Sequence, residues 1–402
     1  MSIWKNIPLG KTALQFIDGD RSKRYPSRSE FVDSGILFLN AESINSGVIN
    51  RANANHISED KYREIKKGRI QKGDILLTTR GNGIGDCAIV NIHDRGLINA
   101  QMLILRTAKK EFEPYFLFYY FSDNSIKSTI KNFSSGSAQP QIPIRDLKFL
   151  SVPIPPLSVQ KKIAAILSAY DDLIENNNRR IAILEKMAEE IYREWFVRLR
   201  FPGHEQVKFN KGIPQGWEVV KIKDIVNRKP FGKIYRENEL LTQGAIIVID
   251  QSQKEFLGFH NEKPEHMASL NEPIIIFGDH TCKMQIMTQP FSLAENVIPF
   301  TSKKSIPVVF LYYLVKNLVD TQEYKRHWTE LCNKEVYIPD SLLSEKFSQI
   351  IIKHLVIVNF LQKAIWNLKQ TRDRLLTRLI SGKLSVEDLD IQFPPSMTEE
   401  LE

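Results

Sequence analysis

The chain has 402 residues, 42% of them hydrophobic and 25% charged, an ordinary globular composition with length for two or three domains. With 55 Lys and Arg against 47 Asp and Glu, the formal charge is +8, which suits a polyanionic partner. No apolar run reaches the ~18 residues of a membrane span, Met1 is followed by no signal-peptide core, and the isolated Cys87, Cys282 and Cys332 offer neither a disulfide framework nor zinc-ligand spacing, so the chain reads as cytoplasmic with reduced, packed thiols.

The excess charge is concentrated at the start. Residues 1–157 hold 22 basic and 15 acidic side chains, residues 158–199 hold 7 and 7, residues 200–340 hold 18 and 17, and residues 341–402 hold 8 and 8. Within the first stretch, Arg21-Ser22-Lys23-Arg24-Tyr25-Pro26-Ser27-Arg28 groups four cations around an aromatic without apolar periodicity, which predicts an exposed loop. Contact with phosphate is one reading and a solvated charge run the other; the local charge favours the former. Lys61, Arg63, Lys66, Lys67, Arg69 and Lys72 form a second basic run, but Glu59, Asp60 and Glu64 are interleaved with it and leave both readings open.

Farther along, Asp74-Ile75-Leu76-Leu77-Thr78-Thr79 predicts a strand feeding Arg80-Gly81-Asn82-Gly83-Ile84-Gly85. The loop's backbone amides could approach a phosphate, and a plain hairpin turn explains the same glycines. It is no Walker A loop, because the Gly-Lys-Ser/Thr ending is missing. The small-polar stretch Phe133-Ser134-Ser135-Gly136-Ser137-Ala138-Gln139-Pro140-Gln141 follows, a linker by composition alone.

After Pro153-Ile154-Pro155-Pro156-Leu157, a long helix is predicted with Ser158 as its N-cap and Pro202-Gly203 as its stop. Its inner positions, Ile163, Leu167, Tyr170, Ile174, Asn177, Ile181, Leu184, Ala188, Ile191 and Trp195, recur in alternating steps of four and three, the signature of a coiled-coil seam. Asn177 is its one amide, a device that fixes register at a cost in stability. A second long helix is predicted over 341–381, with Ile351, His354, Val358, Leu361, Ile365, Leu368, Arg372, Leu375 and Leu379 on its seam and Ser381-Gly382 as its stop. Adding 184 to the first seam gives the second position for position, and Ile154-Pro155 falls on Ile338-Pro339.

The stretches before the helices also match. Trp4-Lys5-Asn6-Ile7-Pro8-Leu9 pairs with Trp217-Glu218-Val219-Val220-Lys221-Ile222, and Gly35-Ile36-Leu37-Phe38-Leu39 with Gly244-Ala245-Ile246-Ile247-Val248. Asp74-Ile75-Leu76-Leu77 pairs with Pro273-Ile274-Ile275-Ile276, and Phe118-Tyr119-Tyr120 with Leu311-Tyr312-Tyr313. A period this long is a duplicated module. The expected fold is α+β: two mixed, mostly-β domains, each followed by a long helix, the helices forming an antiparallel coiled coil about a pseudo-twofold axis. Expected boundaries are 1–155 and 201–340 for the domains, 156–200 and 341–384 for the helices, and 385–402 for a tail.

The run from Pro153 to Gln160, with Ile163-Ala164-Ala165-Ile166-Leu167-Ser168, Asp171-Asp172-Leu173-Ile174-Glu175-Asn176-Asn177, Arg180-Ile181, Leu184-Glu185-Lys186-Met187-Ala188 and Trp195-Phe196, resembles the central conserved region of the specificity subunits of Type I restriction-modification enzymes. Thr371-Arg372-Asp373-Arg374-Leu375-Leu376 with Leu379-Ile380-Ser381-Gly382-Lys383-Leu384 resembles their distal conserved region. The resemblance implies two target-recognition domains reading a bipartite double-stranded DNA site, a spacer set by the helices, and helices that dock two modification subunits. S-adenosylmethionine, ATP and magnesium would then sit on those and on separate restriction subunits, with none on this chain.

Read that way, Arg21, Lys23, Arg24, Arg28, Lys66 and Lys67 become candidates for phosphate contact. Arg80 and Asn82, with Gly81 and Gly83 around them, and Gln139 and Gln141 become candidates for base edges. The counterparts Phe277-Gly278-Asp279-His280-Thr281-Cys282-Lys283 and Thr329-Glu330-Leu331-Cys332-Asn333-Lys334 differ in character, so the second domain should read another sequence; Lys233, Arg236, Lys325 and Arg326 are its weaker candidates. Leu167, Ile174, Asn177, Ile181, Leu184, Leu361, Leu368 and Leu375 are assigned to seam packing. A coiled-coil scaffold without sequence-specific DNA binding is the rival reading, though it leaves the basic first domain unexplained. A fused enzyme lacks its motifs: no Asn-Pro-Pro-aromatic tetrapeptide occurs, and Glu64-Ile65-Lys66 and Glu323-Tyr324-Lys325 are chance-level nuclease tripeptides.

Overall fold

A computed structural model describes residues 4–45, 47–81, 83–107, 111–133, 140–303, 306–321 and 325–398. The chain forms two compact units, residues 1–177 with 364–402 and residues 178–363, so each long helix contributes one part to each unit.

In unit 1 the strand Ile75–Thr78 lies inside a four-stranded antiparallel sheet, between Met102–Arg106 and Cys87–Ile89, with Gln15–Asp18 at the far edge. Its apolar run is continuous because both faces are covered. Ile75 and Leu77 pack with the aromatic helix Pro114–Ser122, while Leu76 joins a second cluster with Leu37 and Leu39, the two-residue alternation of a strand covered on both sides. A second sheet runs Gly96–Ile98, Ile36–Leu39, Asn55–Ile57, Phe31–Val32, its first pair parallel and the others antiparallel. Asn6–Pro8 pairs with Ser151–Pro153 just before the first long helix.

Unit 2 repeats this plan. Its antiparallel sheet runs Val226–Arg228, Val297–Ser302, Ile274–Gly278, Met284–Met287. The other sheet has Ile246–Ile249 between the antiparallel Gly258–His260 and the parallel Phe291–Leu293. Glu218–Lys221 pairs with Glu335–Ile338. Each sequence pairing of the repeat therefore falls on equivalent elements, including the aromatic helices Pro114–Ser122 and Val308–Val315.

The first long helix spans Leu157–Tyr192. Ser158 lies inside its first turn and is not the cap, because the Pro156 carbonyl already accepts from the amides of Val159 and Gln160. The regular helix also stops short of Pro202-Gly203. A π-helical turn, Arg193–Val197, follows it, and Leu199 then takes a left-handed backbone with φ 57°. The wider turn presents Trp195 and Phe196 to Phe347, with ring centroids 6.2 and 5.3 Å away; aromatic packing, not the Pro-Gly pair, shapes this end.

The second long helix spans Ser341–Ile380, opened by the Asp340 carboxylate accepting from the Leu343 amide at 2.9 Å. It closes as expected at Gly382, φ 71°, whose amide reaches the Leu379 carbonyl. On the seams, Leu167, Ile174 and Leu361 are buried; Asn177, Ile181, Leu184 and Leu368 are half-buried between exposed neighbours, and Leu375 is half-buried against the core of unit 1.

Candidate nucleic-acid interface

The turn after strand Ile75–Thr78 is a hairpin. Gly81 takes φ 86° with nothing near its missing side chain, so glycine is required by backbone angle alone. Its amide donates to the Pro140 carbonyl at 3.1 Å, and the amides of Ile84, Gly85 and Asp86 donate to Gly81, Thr78 and Gly83. These four amides are satisfied within the protein, which favours the hairpin reading of these glycines over a phosphate cradle. The turn instead projects the half-buried Arg80 side chain.

Three backbone segments meet beside Arg80. The Thr79 amide donates to the Gln101 carbonyl at 2.8 Å, the Ile142 amide donates to the Thr79 carbonyl at 2.9 Å, and Arg80 and Gln141 form an antiparallel bridge. Gln101, Arg80 and Gln141 thus stand on neighbouring segments although they lie far apart in sequence. Gln101 and Gln141 are exposed. Asn82 and Gln139 lie outside the described residues.

A cavity of about 560 Å³ opens at this place. Arg28, Arg80, Gly81 and Gly83 line it, together with Asn99 and Gln101, over a floor that includes Tyr25, Phe31 and Phe38. The Tyr25 ring meets Phe38 edge-on at 5.5 Å. Arg21 is drawn to the same place by hydrogen bonds to Asp18 at 3.1 Å and to the Ala100 carbonyl at 3.4 Å. Arg24 donates to the Glu64 carbonyl at 3.4 Å, and Lys23 is exposed. The 21–28 run is therefore a loop held on the rim of this cavity, its backbone pinned where Asp20 accepts from the Ser22 amide at 2.6 Å.

The second basic run divides. Lys61 pairs with Glu30 at 2.7 Å, and that hydrogen bond above all holds the Glu30 carboxyl down to about 2. Arg63 faces Glu59 and Asp60, and Arg69 donates to the carbonyls of Tyr62 and Ile65 while lying over the Tyr62 ring. These three serve the fold, whereas Lys66 and Lys67 are exposed and belong to no ion pair among the described residues. Gly68, next to them, packs against Gly19 and Ile98, which brings this pair toward the 19–28 loop.

Unit 2 carries a different surface at the equivalent turn. Asp279 accepts from the Trp328 amide at 3.0 Å, and His280 Nδ1 lies 3.1 Å from the Lys325 carbonyl, so this turn too holds the segment entering the final strand. Lys283 points inward to the carbonyls of Asp250 and Lys254, where burial pushes its ammonium below the usual lysine range. Lys233 pairs with Glu262 at 2.9 Å. Arg326 approaches Asp279 at 3.8 Å, and Arg236 sits at the start of a short 3-10 turn. Lys233 and Lys283 are thus committed internally, in keeping with the near-neutral sequence of this half.

Sequence reasoning missed Asn99 and Gln101. Asn99-Ala100-Gln101 reads as a common polar turn, and only the sheet topology carries it beside Arg80. Among the described residues no group of three or more His, Cys, Asp or Glu could hold a metal ion, and no helix is long and apolar enough to cross a membrane.

Residues 16–186 match the Type I restriction modification DNA specificity domain. The Type I restriction enzyme MjaIX specificity subunit of Methanocaldococcus jannaschii is 30% identical over 374 residues, 83% of each chain. The putative MjaX specificity subunit of the same organism is 25% identical over 386 residues, 88% of each chain. In fold, the crystal structure of the Type I restriction-modification S subunit from M. genitalium resembles this chain with a TM-score of 0.57 at 17% identity, covering 94% of this chain and 96% of that one. A relative 30% identical over 83% of each chain, together with the matching family description, gives the assignment: the chain belongs to the specificity subunits of Type I restriction-modification enzymes.

Proposed function

We propose that this chain selects the DNA sequence on which a Type I restriction-modification complex acts. Unit 1 and unit 2 each read one half of a bipartite duplex site, through recognition domains at 1–155 and 201–340. The helices at 156–200 and 341–384 form an antiparallel coiled coil that sets the spacer and docks two modification subunits, and the tail is 385–402. Catalysis, with S-adenosylmethionine, ATP and magnesium, belongs to the modification and restriction subunits in the cytoplasm.

The observation that carries this reading is the cavity of unit 1, where Arg28 and Arg80 converge with amide side chains above an aromatic floor. Arginine and amide side chains are the groups that read purine edges, and loose cations around them suit the phosphates on either side. The duplicated fold supplies a second, chemically different surface, as an asymmetric two-part site requires. Helix pairing supports the coiled coil: Arg372 meets Asp171 within unit 1, and Phe347 meets Tyr192 within unit 2.

The test is co-purification with the modification subunits, then selection from random duplex DNA at about 150 mM salt, where non-specific binding fades. A two-part motif with a fixed gap is expected, and methyl transfer only when the modification subunits are present. A stable protein complex without sequence enrichment would refute the reading and leave a scaffold; methyl transfer by the isolated chain would overturn the non-catalytic assignment.

A further inference from the structure

Gln101 has no counterpart among the residues that sequence patterns single out, yet its surroundings are built around it. Asn99, only 6% exposed, accepts from the Gln101 amide at 3.0 Å through Oδ1 and donates to Gln101 Oε1 at 3.3 Å through Nδ2. The Gln101 carbonyl is gripped as well, by the amide and hydroxyl of Thr79 at 2.8 and 3.0 Å. The Asn99 backbone is fixed in turn. Its amide donates to Leu39 at 2.8 Å, and Gly19 packs so closely that an added Cβ would stand 2.2 Å from the Asn99 carbonyl oxygen. A long, exposed side chain is thus anchored at both backbone groups and at its own amide oxygen, one backbone segment from Arg80 and at the cavity edge.

Surface glutamines ordinarily lose rotamer freedom when they bind, and that entropy weakens the contact. Here the ordering is already in place. Oε1 keeps a lone pair beyond the Asn99 bond, and Nε2 keeps its donors, the pair of functions that meets adenine N6 and N7 together. We infer that Gln101 is a specificity-determining residue of unit 1 that selects adenine in its half-site, with Asn99 as its positioning residue. The inference rests on the DNA-reading function proposed above. Arg80 on the adjoining segment addresses the neighbouring base pair.

The experiment uses the full chain in complex with its modification subunits and random duplex DNA at about 150 mM salt. Gln101→Ala is expected to relax one A·T position in one half-site, with discrimination there falling about tenfold or more, while the other half-site and the gap are unchanged. Gln101→Glu removes the donor and keeps the acceptor, so preference at that position should move toward cytosine, a change that no merely structural role produces. Asn99→Asp should weaken the same position and no other.

Uniform weakening with an unaltered motif would overturn the inference, because it would make Gln101 a backbone contact. Unchanged selection by both Gln101 variants would overturn it too. Absence of any two-part motif for the wild-type complex would sink the underlying DNA-reading function itself, and is distinguishable because it precedes any variant.

Discussion

Arg372 reaches from the second long helix to the Asp171 carboxylate of the first, and that carboxylate also accepts from the Tyr119 hydroxyl at 2.6 Å. The Tyr119 hydroxyl is in addition 3.2 Å from Ser168 Oγ, so one network joins the aromatic helix of unit 1 to both long helices. Removing Arg372 strands a partly buried carboxylate; Arg372→Leu should cost about 1.5–3 kcal/mol in urea unfolding, and a midpoint equal to wild type would show the network to be idle. Asp123 makes a related link, accepting from the Thr377 hydroxyl at 2.8 Å and the Ser125 amide at 2.8 Å. Burial is the largest influence on its carboxyl and pushes it up, but the hydrogen bonds from Ser125, Thr377 and Ile126 together outweigh it and leave it below its ordinary value. A carboxyl depressed in the folded state stabilises above its unfolded value, near 4, and loses that contribution as pH falls through the folded value. The wild-type chain should therefore lose stability below about pH 4 more steeply than Asp123→Asn; coincident pH profiles of the unfolding midpoint would contradict this. At this scale the sequence was least legible. Lys61 and Lys66 look alike in a basic run, and only the carboxylate of Glu30, brought across from another segment, separates a structural cation from an exposed one.

The long helices were the most legible elements, because a heptad is a local property and each inner position reports it independently. Strand Ile75–Thr78 was nearly as clear from its apolar run and its Gly-rich exit. What escaped were the ends of the first helix: the π-helical turn Arg193–Val197 depends on where Phe310 and Phe347 stand, which no window around residue 195 contains. If the helices act as a ruler, adding four residues beside Asn177, close to one turn, should lengthen the accepted gap between half-sites and leave both half-sites as they were. Selection from random duplexes reads this directly, and altered half-site bases at an unaltered gap would count against the ruler.

The duplication was visible because two copies of one topology need the same apolar runs in the same order, and the sheets of both units follow that order. It yields a prediction for the whole chain: replacing residues 201–340 with the corresponding stretch of another family member should change one half-site of the selected motif and spare the other. Change in both would mean that the units do not read independently. One arrangement was hidden from the sequence, since it joins residues hundreds of positions apart. Unit 1 is completed by the far end of the chain: Val386 is buried in its core, the Tyr115 hydroxyl donates to the Ser396 carbonyl at 3.0 Å, Lys162 donates to the Glu387 carbonyl at 2.6 Å, and Gly382 lies against Trp4. All of unit 2 is translated between the two parts. On the ribosome, the half made first must therefore wait for the last stretch before its core can close. A product cut short before residue 364 would lack the stretch that completes unit 1 and would emerge with that core open to proteases.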